Sequence, residues 1–301
     1  MSSHYPRVRI HAQNGHVLLR EGLSFCFYMR RSHQEMVPGV LRSLDAYQRA
    51  VGPQALGWYD NGEGQWRKLD AAGWALTRHE LLEKRWPSIT LRSDSGYQYR
   101  FEYYGKVLDE PTLDDEPGAV SAAGFWLPTE YLEEYGPNRV RELALELAAP
   151  LPFCSGHAGL SFNGGYDLLG VLGEIRERCF RYPGLDIPNL SWHSWKVGTR
   201  IRGPQWLTFL GQPALDELGG VAGLRSRLSS SDTAVQEMEG ERAVITLGKW
   251  PKAGDVEQGE VLPAYRELAR ILEPWLYQEE RGRHLDFTLE DTRRWERRFL
   301  D

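Results

Sequence analysis

The sequence predicts an α+β fold, made mainly of antiparallel sheet with packed helices. The pairs Asn14-Gly15 and Asn61-Gly62 each separate two strand-like segments, and Asn-Gly is a strong signal for a tight β-hairpin turn. Helical segments are interspersed between the hairpins, without the regular strand–helix–strand alternation that indicates a parallel sheet. No short-period repeat is visible, which argues against a solenoid or a propeller.

The first half of the chain is predicted to contain hairpins, one further strand and three helices. One helix begins at Thr77, with Glu80 three residues later, which is the spacing of a capping box. Another helix is interrupted at Gly136-Pro137. The hairpins are 7–12 with 16–30, 57–69 and 88–105, the strand is 120–128, and the helices are 32–52, 77–87 and 129–151.

The second half repeats this mixture with a weaker pattern. Its predicted strands are 158–163, 205–211 and 242–250, and its predicted helices are 166–182, 261–278 and 289–300. The recurrence is compatible with two similar lobes, 1–153 and 154–301. No linker marks the change between them, so the pattern leaves one domain or two lobes open.

The composition is that of an ordinary globular protein. Of the 301 residues, 41% are hydrophobic and 26% are charged, which argues against disorder, and the net charge of −6 does not favour nucleic acid as a partner. The three cysteines are far apart and odd in number, as expected for free thiols in a reducing compartment. Neither a signal peptide nor a membrane-spanning apolar run is visible, so we predict a cytoplasmic protein without a membrane partner.

Signatures of catalysis and of cofactor binding are absent from the sequence. It contains no phosphate-binding loop, no HExxH, no GxSxG and no dinucleotide-binding glycine pattern. A nuclease needs clustered carboxylates to hold a divalent ion, and Glu237, Glu239 and Glu241 recur at every second position, but metal sites draw their ligands from several elements. We interpret this run as an acidic turn between strands, and predict no cofactor and no metal site.

His193 is the strongest candidate for a catalytic base, since it lies between Trp192 and Trp195 and is followed by several cations. A general base needs a hydrogen-bonded partner and a suitable pKa, whereas two tryptophans more often anchor a core. We therefore favour a structural histidine. Cys154 precedes His157 by three residues, but cysteine proteases take their histidine from a distant part of the chain. We predict no catalytic residue.

One segment accounts for the whole net negative charge of the protein. Residues 107–150 contain ten acidic and two basic residues, a net charge of −8 against −6 for the complete chain. Two interpretations stay open: a solvated loop and helix face, or a docking surface for a basic partner. The candidate partner-binding carboxylates are Asp109, Glu110, Asp114, Asp115, Glu116, Glu130, Glu133 and Glu134.

Several stretches resemble the type VI immunity family, bacterial proteins long known only as a domain of unknown function. The resemblance is carried by GLDIPNLSWHSWKVGTRIRGPQWLTFLG (184–211), GWYDNGEGQW (57–66), GFWLPTEYLEEYGPNRVRELALELA (124–148), CSGHAGLSFN (154–163) and LGKWPKAGDVEQGEVLPAYRELARILEPWL (247–276). Together these stretches extend over nearly the whole chain, so the resemblance implies a single domain over residues 1–301.

The resemblance implies a non-catalytic protein that binds and neutralises a toxin delivered by the type VI secretion system. The toxin would be encoded by an adjacent gene, and some relatives are paired with nucleases of the restriction-endonuclease-like class. A nuclease needs a basic DNA-binding cleft, which the acidic segment could fill. Two alternatives remain: a metal-dependent hydrolase that uses His193 and carboxylates such as Asp186, and an adaptor or chaperone for a secreted effector.

Overall fold

A single antiparallel sheet forms the centre of the computed structural model, which describes residues 5–94, 96–279 and 286–301. Its eleven strands are β1 (Arg9–His11), β2 (Val17–Met29), β3 (Trp58–Asp60), β4 (Trp66–Lys68), β5 (Ser88–Arg92), β6 (Arg100–Tyr104), β7 (Ser121–Pro128), β8 (Ser155–Gly164), β9 (Leu207–Leu210), β10 (Thr233–Met238) and β11 (Arg242–Leu247). With the helices below, they confirm the predicted α+β class.

The order of the strands is β10-β11-β9-β8-β2-β7-β6-β5-β3-β4, and β1 lies beside the first part of β2. The thirteen-residue β2 is central, because it pairs with β7 along one side and with β8 along the other. Strands from both sides of residue 153 therefore share one sheet. The division into two lobes stays a prediction.

The helices pack on both faces of this sheet. They are α1 (His33–Val51), α2 (Ala71–Glu83), α3 (Thr129–Ala148), α4 (Val171–Cys179), α5 (Leu190–Lys196), α6 (Ala214–Glu217), α7 (Gly220–Arg227), α8 (Pro263–Leu272) and α9 (Leu289–Glu296). Short 3-10 turns occur at Pro111–Leu113, Val256–Gln258 and Glu273–Trp275.

The central strand β2 is buried on both faces, which explains how a short helix such as α5 comes to lie against the sheet. Phe25 and Phe27 point into the large core that also contains the apolar sides of α1 and α3. The alternate residues Cys26 and Tyr28 belong to a smaller cluster on the opposite face, together with Leu190 of α5. The two clusters lie on opposite faces of β2, so helices cover the sheet on both sides at this strand.

Most of the predicted elements are present, but several predicted helix bounds are wrong. The helix predicted for 166–182 begins only at Val171, and the helix predicted for 261–278 ends at Leu272. The hairpin turns at residues 14–15 and 61–62 are confirmed, and Gly136 breaks α3 with a φ of 76°. Helix α2, however, begins at Ala71, because the Asp70 side chain caps it by accepting a hydrogen bond from the backbone N–H of Gly73 at 3.0 Å. Thr77, the predicted cap, lies inside the helix and donates to the Gly73 carbonyl.

Candidate functional site

Residues 107–119, here called the acidic loop, connect β6 to β7 and contain five of the candidate carboxylates. Three of them are held by neighbours. Asp109 accepts a hydrogen bond from the Ser32 hydroxyl at 2.9 Å, and Glu110 forms an ion pair with Arg85. Glu116 accepts a charge-assisted hydrogen bond from the Lys196 ammonium at 2.9 Å. These three carboxylates position the loop on the surrounding elements.

The other two carboxylates of the acidic loop, those of Asp114 and Asp115, face solvent. Neither takes part in an ion pair with any residue that the structure describes. Leu113, immediately before them, is buried and ties this part of the loop to the core. Two adjacent negative charges are thus presented outward from a fixed position.

The acidic loop is attached firmly to α5 by backbone contacts. The N–H of Gly198 donates to the carbonyl of Gly118 at 2.9 Å, and the N–H of Val120 donates to the carbonyl of Ser194 at 2.8 Å. A Cβ atom at Gly118 would lie 2.6 Å from the backbone oxygen of Lys196, so only glycine permits this close approach. The loop therefore needs little further ordering to bind a partner.

Lys106 and two tryptophans complete the region where the loop meets α5. Lys106 is buried, its ammonium donates to the Ser194 hydroxyl at 2.9 Å, and burial lowers its pKa to about 8. The same ammonium lies 4.0 Å from the ring centroid of Trp195, and Trp86 stacks on Trp195 with ring centroids 6.5 Å apart. Trp195 is nevertheless 38% exposed. Its orientation is therefore fixed while part of its surface faces solvent.

The remaining candidates lie at the start of α3 and are mostly neutralised. Glu130 forms ion pairs with Arg9 and Arg20, and Glu133 pairs with Arg7 at 2.6 Å. Burial raises the pKa of Glu130, but its own backbone N–H and the guanidinium groups outweigh this and hold the pKa below its usual value. Glu134 is exposed beside a half-exposed tyrosine.

The eight candidate carboxylates form two patches and not one surface. The acidic loop precedes β7, whereas the α3 carboxylates follow it, and eight residues of extended strand separate the two ends by about 26 Å. A partner domain could reach both only with a large footprint. Binding by these residues stays a prediction, and the two patches need to be tested separately.

His193 lies in a buried position on α5 and not in an open cleft. It is 4% exposed, and its ring contacts Tyr277 edge-to-face at a centroid distance of 6.0 Å. The adjoining cavity has a volume of about 30 Å³, and a single water needs roughly 10–15 Å³. This space accommodates water but is too small for a substrate.

Asp186 belongs to a buried ion cluster. Its carboxylate bonds to the His157 ring at 2.9 Å and lies 3.5 Å from the Arg202 guanidinium and 3.9 Å from that of Arg298. Burial raises the pKa of Asp186, but His157 and the two arginines outweigh this and hold the pKa well below its usual range. The cluster joins β8 to the C-terminal residues. These contacts indicate that the cluster stabilises the fold.

The other residues singled out in the sequence also have structural positions. Burial raises the pKa of the Cys154 thiol, which opposes formation of a nucleophilic thiolate. Glu239 and Glu241 occupy the turn from β10 to β11, as predicted, whereas Glu237 lies within β10, one residue before its end. Within the described ranges, no three His, Cys, Asp or Glu side chains are grouped to hold a metal ion, and no helix is long and apolar enough to cross a membrane.

Sequence reasoning missed Trp195 and Lys106 as parts of the candidate surface. The tryptophans were expected to serve core packing, and only the structure distinguishes Trp195, which is exposed, from Trp126 and Trp206, which are fully buried. Lys106 directly precedes the acidic loop, and a lone lysine carries no sequence signal that it is buried. The position of both depends on α5, which the sequence pattern did not predict.

Comparisons with known proteins identify a family for this chain and a solved structure with a similar fold. A family model described as type VI immunity for VRR-NUC matches residues 39–299 of this chain. A solved structure of the Pseudomonas aeruginosa T6SS protein PA0821 is similar, with a TM-score of 0.78, 22% sequence identity and coverage of 97% of this chain and 87% of that one. At this identity the structural similarity supports the fold alone. A search of curated proteins finds no match.

Proposed function

The chain belongs to the family described as type VI immunity for VRR-NUC, and we propose that it binds a VRR-NUC nuclease toxin and neutralises it. The proposed inhibition is stoichiometric and non-catalytic, and it takes place in the cytoplasm, where DNA would be attacked. The toxin is encoded by an adjacent gene. The observation that best supports this proposal is the position of Asp114 and Asp115 on a fixed loop, where both carboxylates are exposed and neither has an ion-pair partner among the described residues.

The chemistry of a nuclease explains why such a loop would inhibit it. An enzyme that cleaves DNA holds phosphates in a basic cleft. Carboxylates placed in that cleft compete for the same cations and exclude the DNA. Opposite charges also raise the rate of encounter, and a loop that is already ordered loses little conformational freedom on binding.

Of the two acidic patches, the acidic loop is the better candidate. Glu130 and Glu133 already have arginine partners, so a toxin that binds them would replace existing ion pairs and gain little. Asp114 and Asp115 would gain a partner without losing one. We therefore assign the first contact with the basic cleft to the acidic loop.

Two other functions make different predictions. A hydrolase based on His193 and Asp186 would need substrate to reach the His193 ring, which is 4% exposed beside a cavity of about 30 Å³. An adaptor or chaperone would bind the toxin but leave its nuclease activity intact. A cleavage assay with the bound complex separates the adaptor from the inhibitor.

The test of the proposed contact is the association rate with a catalytically inactive VRR-NUC toxin from the same genome. Neutralising the loop with Asp114→Asn, Asp115→Asn and Glu116→Gln should slow association by roughly tenfold at low salt and flatten its salt dependence. The matched control is Glu237→Gln, Glu239→Gln and Glu241→Gln, which changes the charge equally on an exposed turn elsewhere. Equal rates for the two triple variants would exclude the loop.

A further inference from the structure

We propose that the groove between the acidic loop and residues 273–279 receives a basic segment of the toxin, with Trp195 as the central aromatic contact. This inference rests on the proposed function and specifies where and how the partner is held. The groove has a volume of about 1040 Å³. That is enough space for several side chains.

The groove combines three parts of the chain. Residues 115–118 of the acidic loop line it, as do residues 273–274 and 276–279, and α5 contributes Trp192, Trp195 and Lys196. The loop and α5 are joined by the backbone hydrogen bonds of Gly118 and Val120, so these two parts form one rigid unit. Residues 273–279 are tied to the segment before β9, because Ile201 exchanges backbone hydrogen bonds with Trp275 and Tyr277.

The charges of the groove favour a cationic occupant. Four carboxylates line it, against two cations, Lys196 and Arg200. Both cations have other contacts: Lys196 bonds to Glu116, and the Arg200 guanidinium donates to the carbonyl of Pro274 at 2.6 Å. Glu273 is paired with Arg297 at 3.4 Å, and Glu279 accepts hydrogen bonds from Trp192 and Tyr277. Asp115 is therefore the lining carboxylate that has no counter-ion among the described residues. A DNA strand or an acidic protein would be repelled here, whereas lysine and arginine side chains would find opposite charges. The four carboxylates are those of Asp115, Glu116, Glu273 and Glu279.

Trp195 provides the apolar part of the contact. All eleven tryptophans lie in the described residues, and Trp195 is the one that is exposed. Because Lys106 and Trp86 hold its ring in place, binding would not have to immobilise it. Rigid tryptophans are typical centres of binding energy in protein interfaces. The alkyl part of an arginine or a lysine can cover such a ring while its charged end reaches a carboxylate such as Asp115.

The opposite end of β7 provides an internal comparison. There Tyr135 on α3 is 52% exposed and lies next to Glu134. Its neighbours Glu130 and Glu133 are already neutralised by arginines. Among the described residues this end therefore offers an exposed aromatic beside one carboxylate without an ion pair, Glu134, against two in the acidic loop. If aromatic exposure alone determined binding, Tyr135 would be the better anchor.

The test compares Trp195→Ala with Tyr135→Ala in the complete chain, with the catalytically inactive VRR-NUC toxin as the probe. Calorimetry should give a dissociation constant raised by roughly 30-fold for Trp195→Ala, the loss typical of a central tryptophan, and by less than about threefold for Tyr135→Ala. Thermal unfolding checks that both variants are folded. If Trp195→Ala does not fold, Trp195→Leu removes the ring while it retains apolar volume, and should weaken binding as well.

The possible outcomes distinguish failure of the proposed groove from failure of the proposed function. Unchanged affinity of a folded Trp195 variant, or a larger loss for Tyr135→Ala, would overturn the groove while the immunity proposal stands. Failure of the unaltered chain to bind the toxin would overturn the proposed function itself. Sedimentation of the unaltered chain alone and of the Trp195 variant tests for a second copy in the groove. If the unaltered chain is a dimer and Trp195→Ala dissociates it, the groove binds a second copy of the chain and not a segment of the toxin.

Discussion

Replacing Asp186 by asparagine should remove a large part of the stability of the protein without altering its binding surface. The carboxylate is buried and lies within 4 Å of the His157 ring and of the guanidinium groups of Arg202 and Arg298. Asparagine keeps the size but removes the charge. Two buried arginine side chains then lose their described counter-ion, and breaking a buried ion pair in this way costs about 3–5 kcal/mol.

This loss corresponds to a fall in Tm on the order of 10 °C for a protein of this size. The pKa of Asp186 is lowered in the folded state, so its carboxylate contributes stability above the unfolded pKa of about 4, and this contribution disappears as the pH falls through the folded pKa. The difference between the unaltered protein and Asp186→Asn should therefore be constant from neutral pH down to about pH 5 and shrink only in stronger acid.

Urea and thermal unfolding measure this effect, with Asp115→Asn as the matched control. The control makes the same change on an exposed loop and should alter stability by less than about 0.5 kcal/mol. At temperatures where Asp186→Asn remains folded, it should still neutralise the toxin. A variant of unaltered stability that fails to neutralise the toxin would refute the structural interpretation and favour the hydrolase.

Three further substitutions test other features of the structure. Burial raises the pKa of Glu296 from 4.5 to about 7, so the side chain increasingly destabilises the folded state as the pH rises through this range. Glu296→Gln should therefore stabilise the protein by up to about 3 kcal/mol at pH 8 and by less than about 1 kcal/mol at pH 5, and equal urea midpoints at pH 8 would contradict this. Gly118→Ala places a Cβ 2.6 Å from the Lys196 backbone oxygen, so the acidic loop has to shift, and toxin binding measured by titration should weaken several-fold. The control Gly173→Ala, whose Cβ meets no atom within 4 Å, should leave binding unchanged. Arg242 donates to backbone carbonyls at the C-terminal end of α3, so Arg242→Ala should lower the free energy of unfolding in urea by about 1–3 kcal/mol, and no change would contradict its capping role.

The sequence predicted the elements whose signals are local. Asn14-Gly15 and Asn61-Gly62 determine the two hairpin turns by their own backbone preferences, and Gly136-Pro137 determines the break in α3. Elements with a weak pattern were missed. Strand β10 lies at the edge of the sheet and none of its residues is buried, and α5 has only seven residues, too few to show a helical period.

The start of α2 shows how two local signals can compete. Thr77 and Glu80 have the spacing of a capping box, but Asp70 also caps, and the alanines after it extend the helix toward it. The site was only partly predictable for a different reason. The acidic residues are close in sequence, but the eight-residue strand β7 lies between the acidic loop and α3. Its length places Glu130 of α3 about 26 Å from the loop. This separation depends on the pairing of β7 with β2 and β6, and the pattern of charges along the sequence does not reveal that pairing.

Titration of the chain into a DNA-cleavage reaction by the VRR-NUC toxin tests the central claim most directly. Stoichiometric inhibition predicts that cleavage falls in proportion to the added chain and stops near one chain per toxin, with a complex of both proteins recovered from the reaction. Continued cleavage by a toxin fully bound to the chain would indicate an adaptor. Loss of cleavage at a small fraction of the toxin concentration would indicate catalytic turnover and contradict the account.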